Sequence, residues 1–172
     1  IGAAALMADY SGYGKAGHIK EKLNEMIHKE ETLYACSLAC SCEGKCTPSG
    51  AYFVDPLLAN VGKHNVTQLI YEIDRLAQDI GGGIIATMPS ESDLKSPEVG
   101  HYVEKYLHGV EGVSTENRMR VARLIENMTG GTALVESMHG AGSPQAQRIM
   151  IARQGNIQGK KQLAKEIAGI KD

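Results

Sequence analysis

The segment from Glu136 to Arg148 has the highest density of side chains that could carry out acid–base chemistry. Glu136 and His139 are three residues apart, and a Gly-Ala-Gly stretch separates them from Ser143-Pro144. Ser before Pro is typical of a helix N-terminus, whose free N–H groups and partial positive charge favour an anion. Glu136 and His139 could therefore act as acid or base beside an anionic ligand. Spacing alone leaves a solvated Glu and a loop His as the alternative.

A run of three glycines, Gly81-Gly82-Gly83, is a second candidate site. Because glycine has no side chain, such a run lets the backbone approach a cofactor phosphate. The same run would also end the preceding helix, since three glycines lose too much backbone entropy to continue it. The glycines alone do not decide between a cofactor contact and a simple helix end.

Four cysteines, Cys36, Cys40, Cys42 and Cys46, form a C-x3-C-x-C-x3-C pattern. Four thiolates suit zinc or an iron–sulfur cluster, but the usual C-x2-C spacing is absent. On a helix only Cys36 and Cys40 share a face, so we interpret the four as ordinary small residues and assign no metal ligand. A secreted disulfide scaffold would spread its cysteines along the chain, and the clustering favours a reducing cytoplasm.

Composition narrows the class of protein. The 172 residues include 18 Lys plus Arg and 20 Asp plus Glu, a net charge of −2 without the basic excess of a nucleic-acid binder. Hydrophobic residues make up 42% and aromatic residues only 5%, which predicts an aliphatic, Met-rich core of packed helices. No apolar run reaches the roughly 18 residues that a membrane span needs.

The chain begins at Ile1 with an apolar stretch that has neither basic flanks nor a cleavage pattern, which argues against a signal peptide. We interpret it as the end of a helix that enters from an upstream segment. The chain would then be a fragment or one piece of a split enzyme.

Hydrophobic spacing predicts two long helices, from Ile19 to about Glu43-Gly44 and from about Tyr52 to Ile80. Capping signals predict four shorter helices, which run from Ser96-Pro97 to Leu107, from Ser114 or Thr115 to Gly130, from Ser143-Pro144 through Met150, and from Leu163 to near Gly169. Residues 88–93 are expected to form a loop. No segment has the alternation of a strand, so residues 1–172 are predicted to form one all-α domain, an antiparallel helical bundle.

Several segments resemble one enzyme family. Residues 136–153, ESMHGAGSPQAQRIMIAR, with LLAN at 57–60 and ATMPSE at 86–91, resemble the C-terminal part of the 4-hydroxybutyryl-CoA dehydratases. The resemblance extends from His28 to Ile170. The wider superfamily includes the flavin-dependent 4-hydroxyphenylacetate 3-hydroxylases. The helix that ends at Gln78-Asp79-Ile80-Gly81-Gly82 resembles the acyl-CoA dehydrogenase helix that ends in a Gln-x-x-Gly-Gly turn beside FAD.

This resemblance implies a helical domain like the C-terminal domain of acyl-CoA dehydrogenases, within a homotetrameric enzyme that contains FAD and a 4Fe-4S cluster. Such enzymes dehydrate 4-hydroxybutyryl-CoA to crotonyl-CoA and isomerise vinylacetyl-CoA. Glu136 matches the family's C-terminal active-site glutamate, and Gln78, Gly81 and Gly82 would approach FAD, across a subunit interface if the family's assembly is shared. The family's cluster ligands lie upstream of this segment and have no counterpart here.

The isolated chain is therefore expected to be inactive without N-terminal and middle domains or a partner subunit. Two alternatives remain open at this stage. One is the oxygenase component of a 4-hydroxyphenylacetate 3-hydroxylase, which needs no iron–sulfur cluster. The other is a non-catalytic piece retained for oligomerisation. An acyl-CoA substrate is expected in the leading interpretation, and neither a nucleic acid nor a membrane is an expected partner.

Overall fold

The computed structural model describes residues 1–139 and 142–170 and is almost entirely helical, which confirms the predicted fold class. The helices are Gly2–Tyr10 (α1), Gly17–Cys42 (α2), Pro56–Gly81 (α3), Ile84–Thr87 (α4), Glu91–Leu94 (α5), Gly100–Leu107 (α6), Thr115–Gly130 (α7), Thr132–His139 (α8), Pro144–Gln154 (α9) and Ile157–Ala168 (α10). No helix among the described residues is both long enough and apolar enough to cross a membrane.

The contacts between its residues divide the chain into two compact units. The first comprises residues 1–31 and 68–138, and the second comprises residues 32–67 and 139–172. The long helices α2 and α3 each contribute to both units. The prediction of one domain over residues 1–172 stays a prediction.

The first unit holds the hydrophobic core. Its fully buried large side chains are Met7, Met26, Ile80 and Ile125, and the buried hydrophobic residues in the described part of the chain include no aromatic side chain. Burial of each such side chain stabilises the folded state by about 1.5–3 kcal/mol. Met7, Met26, Ile80 and Ile125 come from α1, α2, α3 and α7 in that order, so these four helices are packed around one aliphatic, Met-rich core.

A short hairpin in the second unit corrects the prediction that the chain has no strand. Lys45–Cys46 (β1) pairs antiparallel with Tyr52–Phe53 (β2), and Lys45 is opposite Phe53. The second long helix therefore begins at Pro56 rather than near Tyr52. Asp55 explains this start, because its Oδ1 accepts a hydrogen bond from the N–H of Leu58 at 2.8 Å, and a proline suits the first helical position.

The start of α6 is also corrected. Ser96 Oγ accepts hydrogen bonds from the N–H groups of Glu98 and Val99 at 3.2 and 3.4 Å, but it stabilises a turn, and the helix begins only at Gly100. A Cβ at Gly100 would clash with the carbonyl oxygen of Leu94, which shows how closely α5 and α6 approach. The helix α5 overlaps residues 88–93, which are predicted to form a loop. A capping box between Ser90 and Asp93 begins this helix.

Candidate functional site

Two hydrogen bonds hold the glycine turn at the end of α3 in the first unit. The N–H of Gly82 donates to the carbonyl oxygen of Gln78 at 2.8 Å, which closes the helix end with Gly82 at a φ of +70°. The Tyr13 hydroxyl donates to the carbonyl oxygen of Ile80 at 2.7 Å. These bonds satisfy carbonyl groups that the helix itself leaves without partners, so the turn is a fixed element.

The Gln78 side chain connects this turn to the end of α7. Its Nε2 donates to the carbonyl oxygen of Thr129 at 3.2 Å and to Thr129 Oγ1 at 3.1 Å. Both acceptors of Thr129 thus engage the amide nitrogen of Gln78. Gln78 is therefore left with its carbonyl oxygen as the group that it can offer to a ligand.

The two glycines of the predicted cofactor contact have different surroundings. Gly81 is buried, and a Cβ there would clash with the Ile85 side chain, so its small size serves internal packing. Gly82 is exposed, and a Cβ at Gly82 would meet nothing within 4 Å. The open space over Gly82 leaves room for a flat cofactor to approach the backbone, which fits a flavin contact at this turn.

An ion pair lies directly beside the turn. Lys22 Nζ is 2.6 Å from Asp79 Oδ2, which joins α2 to α3 within the first unit. The hydrogen bond from Lys22 holds the pKa of Asp79 below its usual range. Asp79 therefore has a structural partner already, and it is not a candidate proton acceptor.

Glu136 is exposed on α8, which was not predicted as a separate helix. Within the described residues its carboxylate has no hydrogen bond or ion pair. His139, three residues further on, is also exposed. A carboxylate in this condition is available to a substrate or to another part of the protein. Gly140 and Ala141 of the predicted loop lie outside the described residues.

The helix start at Ser143 is confirmed. Ser143 Oγ accepts a hydrogen bond from the N–H of Ala146 at 3.1 Å, and Pro144 occupies the first helical position of α9. The end of α9 is closed by Gly155, whose N–H donates to the carbonyl oxygen of Ile151 at 2.8 Å. The local sequence signals therefore define this helix at its beginning.

The four cysteines are free thiols. Cys36 and Cys40 are half-buried, whereas Cys42 and Cys46 are exposed. Cys36 lies where α2 and α3 approach closely in the second unit, because a Cβ at Gly62 would be 3.3 Å from the Cys36 Cβ. Asn65 Nδ2 is 3.6 Å from Cys36 Sγ, a weak hydrogen bond to sulfur. In the part of the chain that the structure describes, no three His, Cys, Asp or Glu side chains are grouped to hold a metal ion.

A cavity of about 390 Å³ in the first unit was not predicted as a site, although the ATMPSE segment contributes to it. Its apolar wall includes Met88, Leu94 and Met119, and its charged wall includes Glu116 and Arg120. Arg120 Nη2 is 2.7 Å from Glu116 Oε1, so these two charges neutralise each other. The cavity offers apolar surface rather than an uncompensated charge.

The structure therefore defines a class of helical protein with an open glycine turn and an exposed carboxylate on separate helices. The family described as the C terminal of HpaB, 4-hydroxyphenylacetate 3-hydroxylase, matches residues 1–169. The chain therefore belongs to this family.

Known proteins differ in how similar they are to this chain. The 4-hydroxybutyryl-CoA dehydratase/vinylacetyl-CoA-Delta-isomerase of Clostridium aminobutyricum is 57% identical over 99% of the chain, which spans 37% of that protein. The solved oxygen-tolerant 4-hydroxybutyryl-CoA dehydratase of N. maritimus is 56% identical, with a TM-score of 0.95 over 99% of this chain and 35% of that one. The oxygenase component of 4-hydroxyphenylacetate 3-monooxygenase from Thermus thermophilus is 31% identical over 75% of the chain and 26% of that protein.

A solved HpaB oxygenase component in complex with FAD has the same fold, with 26% identity and a TM-score of 0.86 over 96% of this chain and 35% of that one. The chain thus spans about a third of the length of the relatives that it matches.

Proposed function

We propose that this chain forms the C-terminal part of an enzyme that dehydrates 4-hydroxybutyryl-CoA to crotonyl-CoA and isomerises vinylacetyl-CoA. The observation that carries the proposal is the 57% identity to the Clostridium dehydratase/isomerase over 99% of the chain. Identity to the Thermus oxygenase component is 31% over 75% of the chain, which supports common ancestry but not common chemistry. The dehydratase is therefore preferred over the hydroxylase.

FAD is the proposed cofactor at the glycine turn. The HpaB neighbour with a TM-score of 0.86 is a complex with FAD, and the open face of Gly82 fits such a ligand. Gln78 would accept a hydrogen bond from the cofactor, Gly82 would let it contact the backbone, and Gly81 would keep α3 close to Ile85. When bound, FAD supplies the one-electron oxidation that acidifies the otherwise unreactive C–H bond at the β-carbon.

Glu136 is the residue that we propose to handle a proton of the substrate. Its carboxylate is exposed on α8 and is not engaged elsewhere in the described residues, so it is free to come within hydrogen-bond reach of a substrate proton. A carboxylate there would accept a proton from the substrate or hold it by a hydrogen bond. The rest of the site would come from parts of the protein outside this chain.

The proposed 4Fe-4S cluster has no site among the described residues of this chain. Cys42 and Cys46 are exposed and Cys36 and Cys40 are half-buried, and the four thiols do not converge with other ligands on one point. We therefore propose that the cluster ligands belong to the preceding domains of the enzyme. No chemical step is assigned to the cysteines of this chain.

The proposed assembly is a homotetramer in the cytoplasm, and the 172-residue chain is proposed to be inactive by itself. Exposed apolar side chains support an assembly, since α10 buries no residue and leaves Ile157, Leu163 and Ile167 more than half exposed. Four free cysteines support a reducing compartment.

A comparison of two substrates tests the proposed function. The complete protein, purified without oxygen, is incubated with 4-hydroxybutyryl-CoA, and crotonyl-CoA is measured by chromatography. A parallel sample receives 4-hydroxyphenylacetate, oxygen and reduced flavin, and its hydroxylated product is measured in the same way. Formation of crotonyl-CoA alone is the expected result. Hydroxylation of 4-hydroxyphenylacetate without crotonyl-CoA would overturn the proposal in favour of the oxygenase.

A further inference from the structure

Thr129 is a buried polar residue in the last turn of α7, and it is hydrogen-bonded to Gln78 of the candidate cofactor turn. Thr129 is 5% exposed, and its Oγ1 donates to the carbonyl oxygen of Ile125 at 2.8 Å. The hydroxyl proton is therefore used inside α7. The lone pairs of Oγ1 remain available as acceptors, and one of them accepts from Gln78 Nε2.

The two acceptors of Thr129 determine which way the Gln78 amide is turned. A backbone carbonyl can only accept, so the nitrogen of the amide and not its oxygen must face the Thr129 carbonyl, 3.2 Å away. The amide nitrogen of Gln78 is then directed at Thr129. The amide oxygen of Gln78 consequently points away from Thr129, and rotation of the amide by 180° would place two acceptors against each other.

The same glutamine also closes the glycine turn through its backbone. Its carbonyl oxygen accepts from the N–H of Gly82 at 2.8 Å. A shift of Gln78 would thus also displace Gly82, the glycine whose open face fits the cofactor. Thr129, 51 positions away in sequence, is in this way connected to both features of the turn.

We propose that Thr129 is a positioning residue for FAD, which holds Gln78 so that the Gln78 amide oxygen accepts a hydrogen bond from an N–H or O–H donor of the cofactor. This inference rests on the proposed FAD contact at Gln78 and Gly82. Thr129 itself does not touch the cofactor. The flavin ring, the adenine amino group and the sugar hydroxyls of FAD all provide donors of this chemical class.

The test measures the dissociation constant of FAD in the complete enzyme, from the fluorescence that FAD regains on release, for Thr129→Val, Thr129→Ser and Gln78→Ala. One hydrogen bond contributes about 0.5–1.5 kcal/mol, so Thr129→Val is expected to weaken FAD binding roughly 2- to 12-fold. Thr129→Ser retains the oxygen and is expected to bind FAD as the wild type does. Thermal unfolding of each apoprotein checks that the fold is intact.

Thr115→Val is the matched control, because Thr115 is also a buried threonine of α7 and its Oγ1 donates to the carbonyl oxygen of Glu104 at 3.5 Å. Fourteen residues of helix, or about 21 Å at 1.5 Å per residue, separate it from Thr129. It is expected to leave FAD binding unchanged. A loss of FAD affinity in Thr115→Val equal to that in Thr129→Val would overturn the positioning role.

The double variant Gln78→Ala/Thr129→Val separates positioning from general stability. If Thr129 acts through Gln78, Thr129→Val has no further effect on FAD affinity once Gln78 is alanine. Additive losses in the double variant would contradict the positioning role. Weaker binding in Gln78→Ala with normal binding in Thr129→Val would overturn this inference and leave the FAD contact standing. Normal FAD binding in Gln78→Ala would instead refute the proposed contact itself.

Discussion

Replacement of Gly82 by alanine tests whether the open glycine turn faces the cofactor. Gly82 has a φ of +70°, where an L-residue with a Cβ is strained by about 1–2 kcal/mol. For a chain of this length 1 kcal/mol lowers the melting temperature by about 2–4 °C, so Gly82→Ala is expected to lower it by about 2–8 °C. The new methyl group meets no protein atom within 4 Å, so backbone strain accounts for the whole stability loss.

The effect of Gly82→Ala on the cofactor is separate from this strain. A methyl group in the space that FAD would occupy costs about 1–3 kcal/mol of overpacking, so we expect FAD binding by the complete enzyme to weaken roughly 5- to 150-fold. Asparagine tolerates a positive φ better than alanine does, so Gly82→Asn is expected to lose less stability and as much FAD affinity.

Gly112→Ala is the matched control for this experiment. Gly112 also has a positive φ, +84°, and a Cβ there would likewise meet nothing within 4 Å, but it lies between α6 and α7. It is expected to lose the same stability as Gly82→Ala without any change in FAD binding. Thermal unfolding and FAD fluorescence measure the two effects independently. Equal FAD affinity in Gly82→Ala, Gly112→Ala and the wild type would refute the reasoning that FAD approaches this turn.

Three further results are expected. Burial raises the pKa of Asp74, whose Oδ2 has no hydrogen-bond partner in the described residues, so folding penalises its ionised form. Asp74→Asn should therefore stabilise the 172-residue chain by a few tenths of a kcal/mol at neutral pH, after allowance for solvent screening. Urea unfolding at a series of pH values measures this gain. The gain should disappear as the pH falls through the raised pKa to below about 3.9, where Asp74 is protonated in both the folded and the unfolded state. The purified 172-residue chain should bind neither FAD nor iron stoichiometrically, because it provides only one side of the cofactor site. Absorbance spectra and metal analysis measure this, and a yellow or brown protein would contradict it. The same chain should self-associate through exposed apolar side chains. A molar mass equal to that of the monomer, measured by light scattering at micromolar concentration, would argue against self-association.

Local sequence signals predicted the starts of α7 and α9 and the end of α3 correctly, because each depends on a few neighbouring residues, whereas α3, α6 and α10 begin elsewhere than predicted. Ser114 and Ser143 cap α7 and α9 as expected, and the glycines end α3 at Gly81. The hairpin was missed because its strands have only two residues each, too few to show alternation. The Asp55-Pro56 signal for the start of α3 was present in the sequence, but the apolar residues before it suggested a longer helix.

The site could be predicted only where it is local. The glycine turn and the Glu136 segment are short motifs that the sequence alone identifies. The bonds from Gln78 to Thr129 and from Tyr13 to Ile80 join positions 51 and 67 residues apart. No spacing rule connects such residues, because tertiary packing and not helical periodicity brings them together. The start of α6 is a different case, because the local signal at Ser96-Pro97 is present but stabilises a turn in front of the helix.

The rate of crotonyl-CoA formation per bound FAD, in the complete enzyme and in its Glu136→Gln variant, tests the proposed role of Glu136 most directly. Glutamine keeps the shape of the side chain and removes its capacity to transfer a proton. Because Glu136 is exposed and unengaged among the described residues, the melting temperature and FAD content should hardly change. We predict that turnover per FAD falls about 10²- to 10⁴-fold. Equal turnover per FAD in the two proteins would contradict a role for Glu136 in the reaction.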